Sequence, residues 1–245
     1  MDLADSLRAL ARENRANYFG IADLTPVQPY IREMGGDPFA SYPRAVSCGI
    51  GLLDSLVDLL PGRAENPACA ALYRHHAYDV VNARLDQLSF DIAAAIQDAG
   101  FGAVPIPASK RTDAGKIAAP VSHKMAANLA GLGWIGKSCL LVTPDHGPRV
   151  RWCTVLTDAP LEPTGKPMNN RCGECTICRD ACPIHAITGR PFSPAEPREM
   201  RLDVQACDRL FRQMEDAGKP AVCGMCLYSC PWGRRGRPSS YGSGA

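Results

Sequence analysis

What this 245-residue sequence lacks removes several classes of function before any motif is read. No stretch approaches the roughly 18 consecutive apolar residues of a membrane-spanning helix, so no membrane partner is expected. The N-terminus, MDLADSLRALAREN, carries Asp2 and Asp5 and no continuous apolar segment, which speaks against a secretory signal and for a cytoplasmic chain. Charge of one sign is missing too. Lys plus Arg number 27 against 25 Asp plus Glu, a net charge of +2, so no strong field drives polyanion coating. There is no GxGxxG and no phosphate loop, and no HxxxH or HExxH spacing, so those nucleotide and histidine–metal sites are unsupported. Internal repeats are absent, and only the SSYGSGA tail (239–245) is of low complexity.

What is present is cysteine, 12 residues of it. In a reducing compartment, clustered thiols serve metals or redox chemistry rather than disulfides. Cys48, Cys69, Cys139 and Cys153 are scattered in apolar surroundings and read as small core residues. The other eight fall within 59 residues. The first set is Cys172-x2-Cys175-x2-Cys178-x3-Cys182-Pro183. The second is Cys207, a spacer of 15 residues, then Cys223-x2-Cys226-x3-Cys230-Pro231. In two-cluster ferredoxins the thiolate before the proline swings away to ligate the other cluster. That rule assigns Cys172, Cys175, Cys178 and Cys230 to one [4Fe–4S] cluster, and Cys182, Cys207, Cys223 and Cys226 to another. Zinc is the rival, but zinc sites usually come as two CxxC pairs without a third CxxC step and CP.

The body before the cysteine-rich end reads as alternating strands and helices, hence an α/β or α+β layered domain. A helix is expected over 5–14, strands over 18–22, 45–52, 101–106, 138–142 and 150–157, and loop over 24–43. Ala77, Val81, Leu85, Leu88, Ile92 and Ile96 form one apolar stripe, predicting a helix from about 70 to 99 that Gly100 ends. Ser122 is placed to cap a helix from 123 to about 130. The stretch 157–171 holds three prolines and reads as the connection to the cysteine-rich end. His123, with an ordinary pKa of about 6.5, is a candidate proton donor, and Lys124 a holder of an anionic group. Lys110, Arg111 and Lys116 make a basic stretch near them. His75 and His76 read as surface residues, and Arg234, Arg235 and Arg237 as a short basic tail.

The glycine-rich segment Gly131-Leu132-Gly133-Trp134-Ile135-Gly136-Lys137 permits close backbone approach to a ligand, with a stacking ring and a charge beside it. Taken with the Thr-Asp pair at 157–158, the CxxCxxCxxxCP run and the final CxxCxxxCPW, it resembles the epoxyqueuosine reductase family, of which this chain would be a short, divergent member. That family is in turn similar to the corrinoid-dependent reductive dehalogenases. The resemblance implies an α+β fold: a nitroreductase-like, cobalamin-binding-type domain over 1–165, then a ferredoxin-like two-cluster domain over 166–245. It implies cobalamin beside the two clusters, with Val121, Ser122, Gly131, Gly133, Trp134, Ile135, Gly136 and Lys137 against the corrinoid. It also implies a reductase fed by a donor such as ferredoxin or flavodoxin and acting on a small molecule or corrinoid partner. The rivals are a non-catalytic electron carrier that reactivates a partner corrinoid protein, and an enzyme using flavin or no further cofactor. Two departures stand out. Ile117-Ala118-Ala119-Pro120 occupies the place of the family's acidic proton donor, and the sequence ends 15 residues after Cys230, where longer members continue with a tRNA-gripping region. On that ground tRNA is not expected as a partner.

Overall fold

Strand positions in this chain are chosen by runs of buried β-branched and small residues, and the computed structural model pairs them into a four-stranded antiparallel sheet and a two-stranded ribbon. It describes residues 2–113 and 115–234. The basic-tail residues Arg235 and Arg237, and the SSYGSGA tail, lie outside the described residues. The strands are β1 (Tyr18–Asp23), β2 (Arg44–Gly51), β3 (Ala103–Ile106), β4 (Trp134–Ile135), β5 (Leu141–Val142) and β6 (Val150–Thr157). The main sheet has the order β1-β2-β6-β3, every pair antiparallel, and β4 and β5 form a separate two-stranded ribbon. β2 and β6 are central and buried almost throughout, as VRWCTVLT and RAVSCGIG allow. Their register places Cys48 opposite Cys153, both in the core.

One face of the sheet is covered by the helices Leu3–Glu13 and Val81–Asp98, which bury Leu7, Leu85, Leu88, Ile92 and Ile96 against Ile21, Val46 and Val155. Burying each such side chain is worth roughly 1.5–3 kcal/mol. The helix His123–Leu129 lies on the opposite face, with Ala126 and Ala130 against Ala22, Ala45 and Leu156.

The expected long helix is helical throughout but not uniformly α. Pro67–Arg74 is α-helical, His75–Val80 forms a π-helical turn, and Val81–Asp98 resumes the α-helix. The π turn changes the angular register of the stripe. Tyr73 and Ala77 pack with Leu52, Leu60, Val222 and Leu227, whereas Leu85 onward packs on the sheet. Gly100 ends the helix at φ 90°, a left-handed position that suits glycine.

Residues 24–43 depart from expectation. They hold the helices Gln28–Gly35 and Asp37–Ala40 and a 3₁₀ turn. Their prolines stand in first turns, where no hydrogen-bonded N–H is required, so they start helices instead of breaking them. The strand expected over 138–142 shrinks to Leu141–Val142, because Cys139 turns at φ 59°. Ser122 occupies the cap position of its helix, but its side chain makes no capping hydrogen bond.

Candidate functional site

The cysteine-rich end is short on regular structure. The helix Ile177–Asp180 follows Cys175, Val204–Asp216 carries Cys207, and Met225–Tyr228 carries Cys226. Short helices separated by turns bring thiols together that a long helix would spread apart. Asp203 caps the second of these helices by accepting from Ala206 N at 2.8 Å.

Cys172, Cys175, Cys178 and Cys230 line one cavity, with Lys137, Val142 and Trp232 in its wall. Cys182 and Cys207 share a second apolar cluster with Cys226, Ile187 and Leu202, and Cys178 of the first set packs against its edge. Electrostatics follow the same grouping at Cys178 and Cys207, while Cys226 also feels Cys178 across the two sets. Burial pushes the Cys178 thiol up to about 11, with Cys230, Cys172 and Cys175 adding to the rise. Burial also pushes Cys207 up to about 11, with Cys182 and Cys223 the neighbouring thiols. Cys226 rises to about 12 by burial and then through Cys223 and Cys207. Gathered thiols with such values are protonated by themselves. A bound cation is what would make them thiolates, because metal coordination deprotonates a thiol outright. Four thiols stand around one cavity. This donor set fits a sulfur-bridged iron cluster.

The body fastens this end at several points. Lys137 Nζ donates to the carbonyl oxygens of Gly173 at 2.6 Å and Cys175 at 3.2 Å, so it clamps the turn that carries the first thiols. Arg63 donates to Met225 Sδ at 3.0 Å and reaches Cys223 Sγ at 4.0 Å. Arg111 pairs with buried Asp208, which Arg212 also engages at 2.7 Å. Arg198 donates to the Lys116 and Ile117 carbonyls. Trp134 meets Trp232 edge to face, 4.7 Å between centroids. Arg63 and Arg198 were not legible as site residues, since each acts across a long sequence separation with no local spacing to mark it, whereas Trp232 follows Cys230 within the CPW motif.

Several of the residues expected against a corrinoid pack against the chain itself. A side chain at Gly131 would meet the backbone of Gly165 and Lys166, and one at Gly133 would collide with the Val142 carbonyl. At Gly136 it would meet Val142 Cγ2 at 2.8 Å and Cys172 Sγ at 3.6 Å. Val121, Trp134 and Ile135 are buried, Trp134 to 1% exposure. At these glycines the segment seats the chain's own strand and the thiol-bearing turn. A larger cleft of about 630 Å³ lies elsewhere, and neither the glycine-rich segment nor residues 121–124 line it.

His123 and Lys124 also face the protein. Nδ1 of His123 lies 2.8 Å from Thr154 Oγ1, and Nε2 lies 3.1 Å from the Pro107 carbonyl. Desolvation lowers its pKa to about 4, so near neutrality it is uncharged with both nitrogens taken, which corrects the expectation of a proton donor. Lys124 donates to the Cys139 carbonyl at 2.7 Å, and burial lowers its pKa. That bond holds the 136–142 turn. Of the scattered cysteines, Cys48, Cys139 and Cys153 are buried as expected and Cys69 is half-buried.

Two interleaved groups of four thiols on a mixed helix and sheet body define an iron–sulfur protein of the double-cluster class. Residues 171–233 match the 4Fe-4S double cluster binding domain family. The body and cysteine-rich end together show kinship with the epoxyqueuosine reductases. The enzyme of Leadbetterella byssophila is 34% identical over 125 residues, covering 50% of this chain and 40% of that protein. That of Pseudomonas aeruginosa is 30% identical over 177 residues, covering 67% of this chain and 43% of that one. The chain thus spans about two fifths of the length of these curated relatives. The fold is shared with a solved catabolic reductive dehalogenase, NpRdhA, in complex with 3-bromo-4-hydroxybenzoic acid (TM-score 0.68, 22% identity, 96% of this chain and 33% of that one). It is also shared with an epoxyqueuosine reductase bound to a modified tRNA stem loop (TM-score 0.57, 18% identity, 95% of this chain and 66% of that one). The expectation that tRNA would not be a partner is overturned by that complex, in which an epoxyqueuosine reductase of this fold holds a tRNA stem loop.

Proposed function

We propose that this chain is an iron–sulfur reductase in which Cys172, Cys175, Cys178 and Cys230 hold one [4Fe–4S] cluster and Cys182, Cys207, Cys223 and Cys226 hold the other. The observation that carries this reading is the interleaving. Cys230, the last thiol of the second motif, joins the cavity of the first, while Cys182, the last of the first, joins the second group. When bound, such clusters supply one-electron transfer at low potential. The chain's own residues orient and shield. Lys137 holds the first turn, Arg63 lies against the second group, and Trp232 with Val142 keeps water from the first. We assign 1–165 to the body, of the nitroreductase-like type, and 166–245 to the cluster domain. A donor such as ferredoxin or flavodoxin is the electron source we propose. The epoxyqueuosine reductase kinship supports a reductive reaction, and tRNA belongs among the substrates tested.

The experiment is anaerobic reconstitution with iron and sulfide. The expected result is about eight irons per chain, a broad absorbance near the visible range and bleaching by dithionite. The same preparation is then assayed with epoxyqueuosine-containing tRNA. Stoichiometric zinc with no visible absorption refutes the cluster reading, and full cluster occupancy without turnover refutes the tRNA substrate alone.

A further inference from the structure

The large cleft has no role in the cluster chemistry, and its lining is specific. It measures about 630 Å³, within the range of roughly 300–1,000 Å³ typical of small-molecule sites. Its apolar wall comes from Ile50, Leu52, Tyr73 and Ala77, all buried. Part of the wall is the π turn itself, since His76, Ala77 and Val80 all belong to His75–Val80. π turns are rare and concentrate at functional sites, because the wider turn costs hydrogen-bond quality that packing alone seldom repays. Val80 stands at the rim, 37% exposed.

The polar groups of the cleft lean positive. Arg15 and Arg84 line it, and among the described residues neither side chain makes an ion pair or a hydrogen bond to the protein. The acid in the lining, Asp54, is already engaged by the buried Arg149 at 3.2 Å. His146 presents its ring to the cleft, with Nδ1 fixed 2.7 Å from the Tyr18 hydroxyl. At the end of β2, Gly51 keeps the floor low, since a side chain there would lie 3.1 Å from His146 Cδ2 and 3.2 Å from Asn17 Oδ1. An apolar wall with unpaired guanidinium groups and a fixed imidazole suits a ligand with a compact apolar body and one anionic group.

We propose that this cleft is a binding site for a small amphipathic anion, a carboxylate, sulfonate or phosphate on an apolar or aromatic body, with Arg15 and Arg84 taking the charge and Tyr73 and Ala77 the body. The site does not depend on the cluster assignment. The test uses two probes of one shape, 1-anilinonaphthalene-8-sulfonate and its uncharged counterpart N-phenyl-1-naphthylamine, in equilibrium dialysis against the cluster-loaded protein. The expected result is one sulfonate probe per chain. Arg15→Gln with Arg84→Gln should weaken it by about tenfold or more while leaving the neutral probe's affinity unchanged. Val80→Trp, which places a ring at the rim, should weaken both probes. Iron content and circular dichroism establish that each variant is folded. Failure of the wild type to bind the sulfonate probe overturns the proposal. So does binding that the paired arginine variant leaves unaltered, or that Val80→Trp leaves unaltered for both probes.

Discussion

Replacing Lys137 with Met tests the central structural finding, that this lysine clamps the first thiol turn and does not face a ligand. The side chain keeps its length and loses two charge-assisted bonds, to Gly173 O at 2.6 Å and Cys175 O at 3.2 Å. A hydrogen bond to a charged group is worth roughly 1.5–3 kcal/mol. The longer bond contributes less, and water can replace part of both at this half-buried position, so the net loss is about 1.5–3 kcal/mol. The loss falls on the turn 172–175, because among the described residues this ammonium donates to Gly173 and Cys175 alone. Each 1.4 kcal/mol is a factor of about ten, so the opened turn becomes roughly 10–100 times more populated. The assay is iron release from reconstituted protein to an excess of ferrous chelator under anaerobic conditions. Wild type should release its iron slowly in one or two similar phases. The variant should release about half of its iron faster by that factor and the rest at the wild-type rate. Uniform acceleration of all the iron would mean a global effect, and no acceleration would mean the clamp does not restrain the turn. Either result refutes the reasoning.

Three further outcomes are expected. Cys230→Ser should strip the cluster of Cys172, Cys175 and Cys178 and leave the other, halving the iron to about four per chain, whereas assignment by sequence blocks predicts loss of the second cluster; single-cluster variants that lack Cys178 or Cys207 identify which spectrum remains. Gly133→Ala drives a methyl into the Val142 carbonyl and should cost on the order of 1–3 kcal/mol, read as a fall of several degrees in Tm; an unchanged Tm refutes the close packing of the ribbon. His123 is held neutral in the folded state down to about pH 4, while the unfolded chain takes up that proton near 6.5. Its contribution is therefore complete above pH 6.5 and is lost as pH falls from there toward 4. His123→Gln should flatten the drop in stability across that window in denaturant titrations, and identical pH profiles for the two proteins would sink the assignment.

The fold was legible where one face of an element meets one environment. VRWCTVLT reads as a buried strand and is one, and Leu85 to Ile96 read as an apolar stripe and pack as one. It was illegible where the partner came from far away. Ala77 and Leu85 look like one stripe, yet the π turn sends them to different clusters, and periodicity cannot report a single wider turn. Prolines in 24–43 read as breakers because position within a first turn depends on helices that the local pattern did not announce. At the site, the thiols were found by spacing, while Arg63 and Lys137 act on carbonyls and sulfurs many residues away and carry no marker of that role.

The sequence by itself determined the chemistry of the cysteine-rich end. Spacings of two and three residues with a following proline are local constraints, and they set which thiols can converge before any long-range contact forms. Only the tertiary structure decided what the glycine-rich segment does. Three glycines mark a backbone that something approaches closely, but their identity cannot say whether that something is a ligand or the chain itself. Here it is the chain: Gly165 and Lys166 at Gly131, Val142 at Gly133, and Cys172 beside Gly136, each brought there by folding over a separation that sequence spacing does not measure.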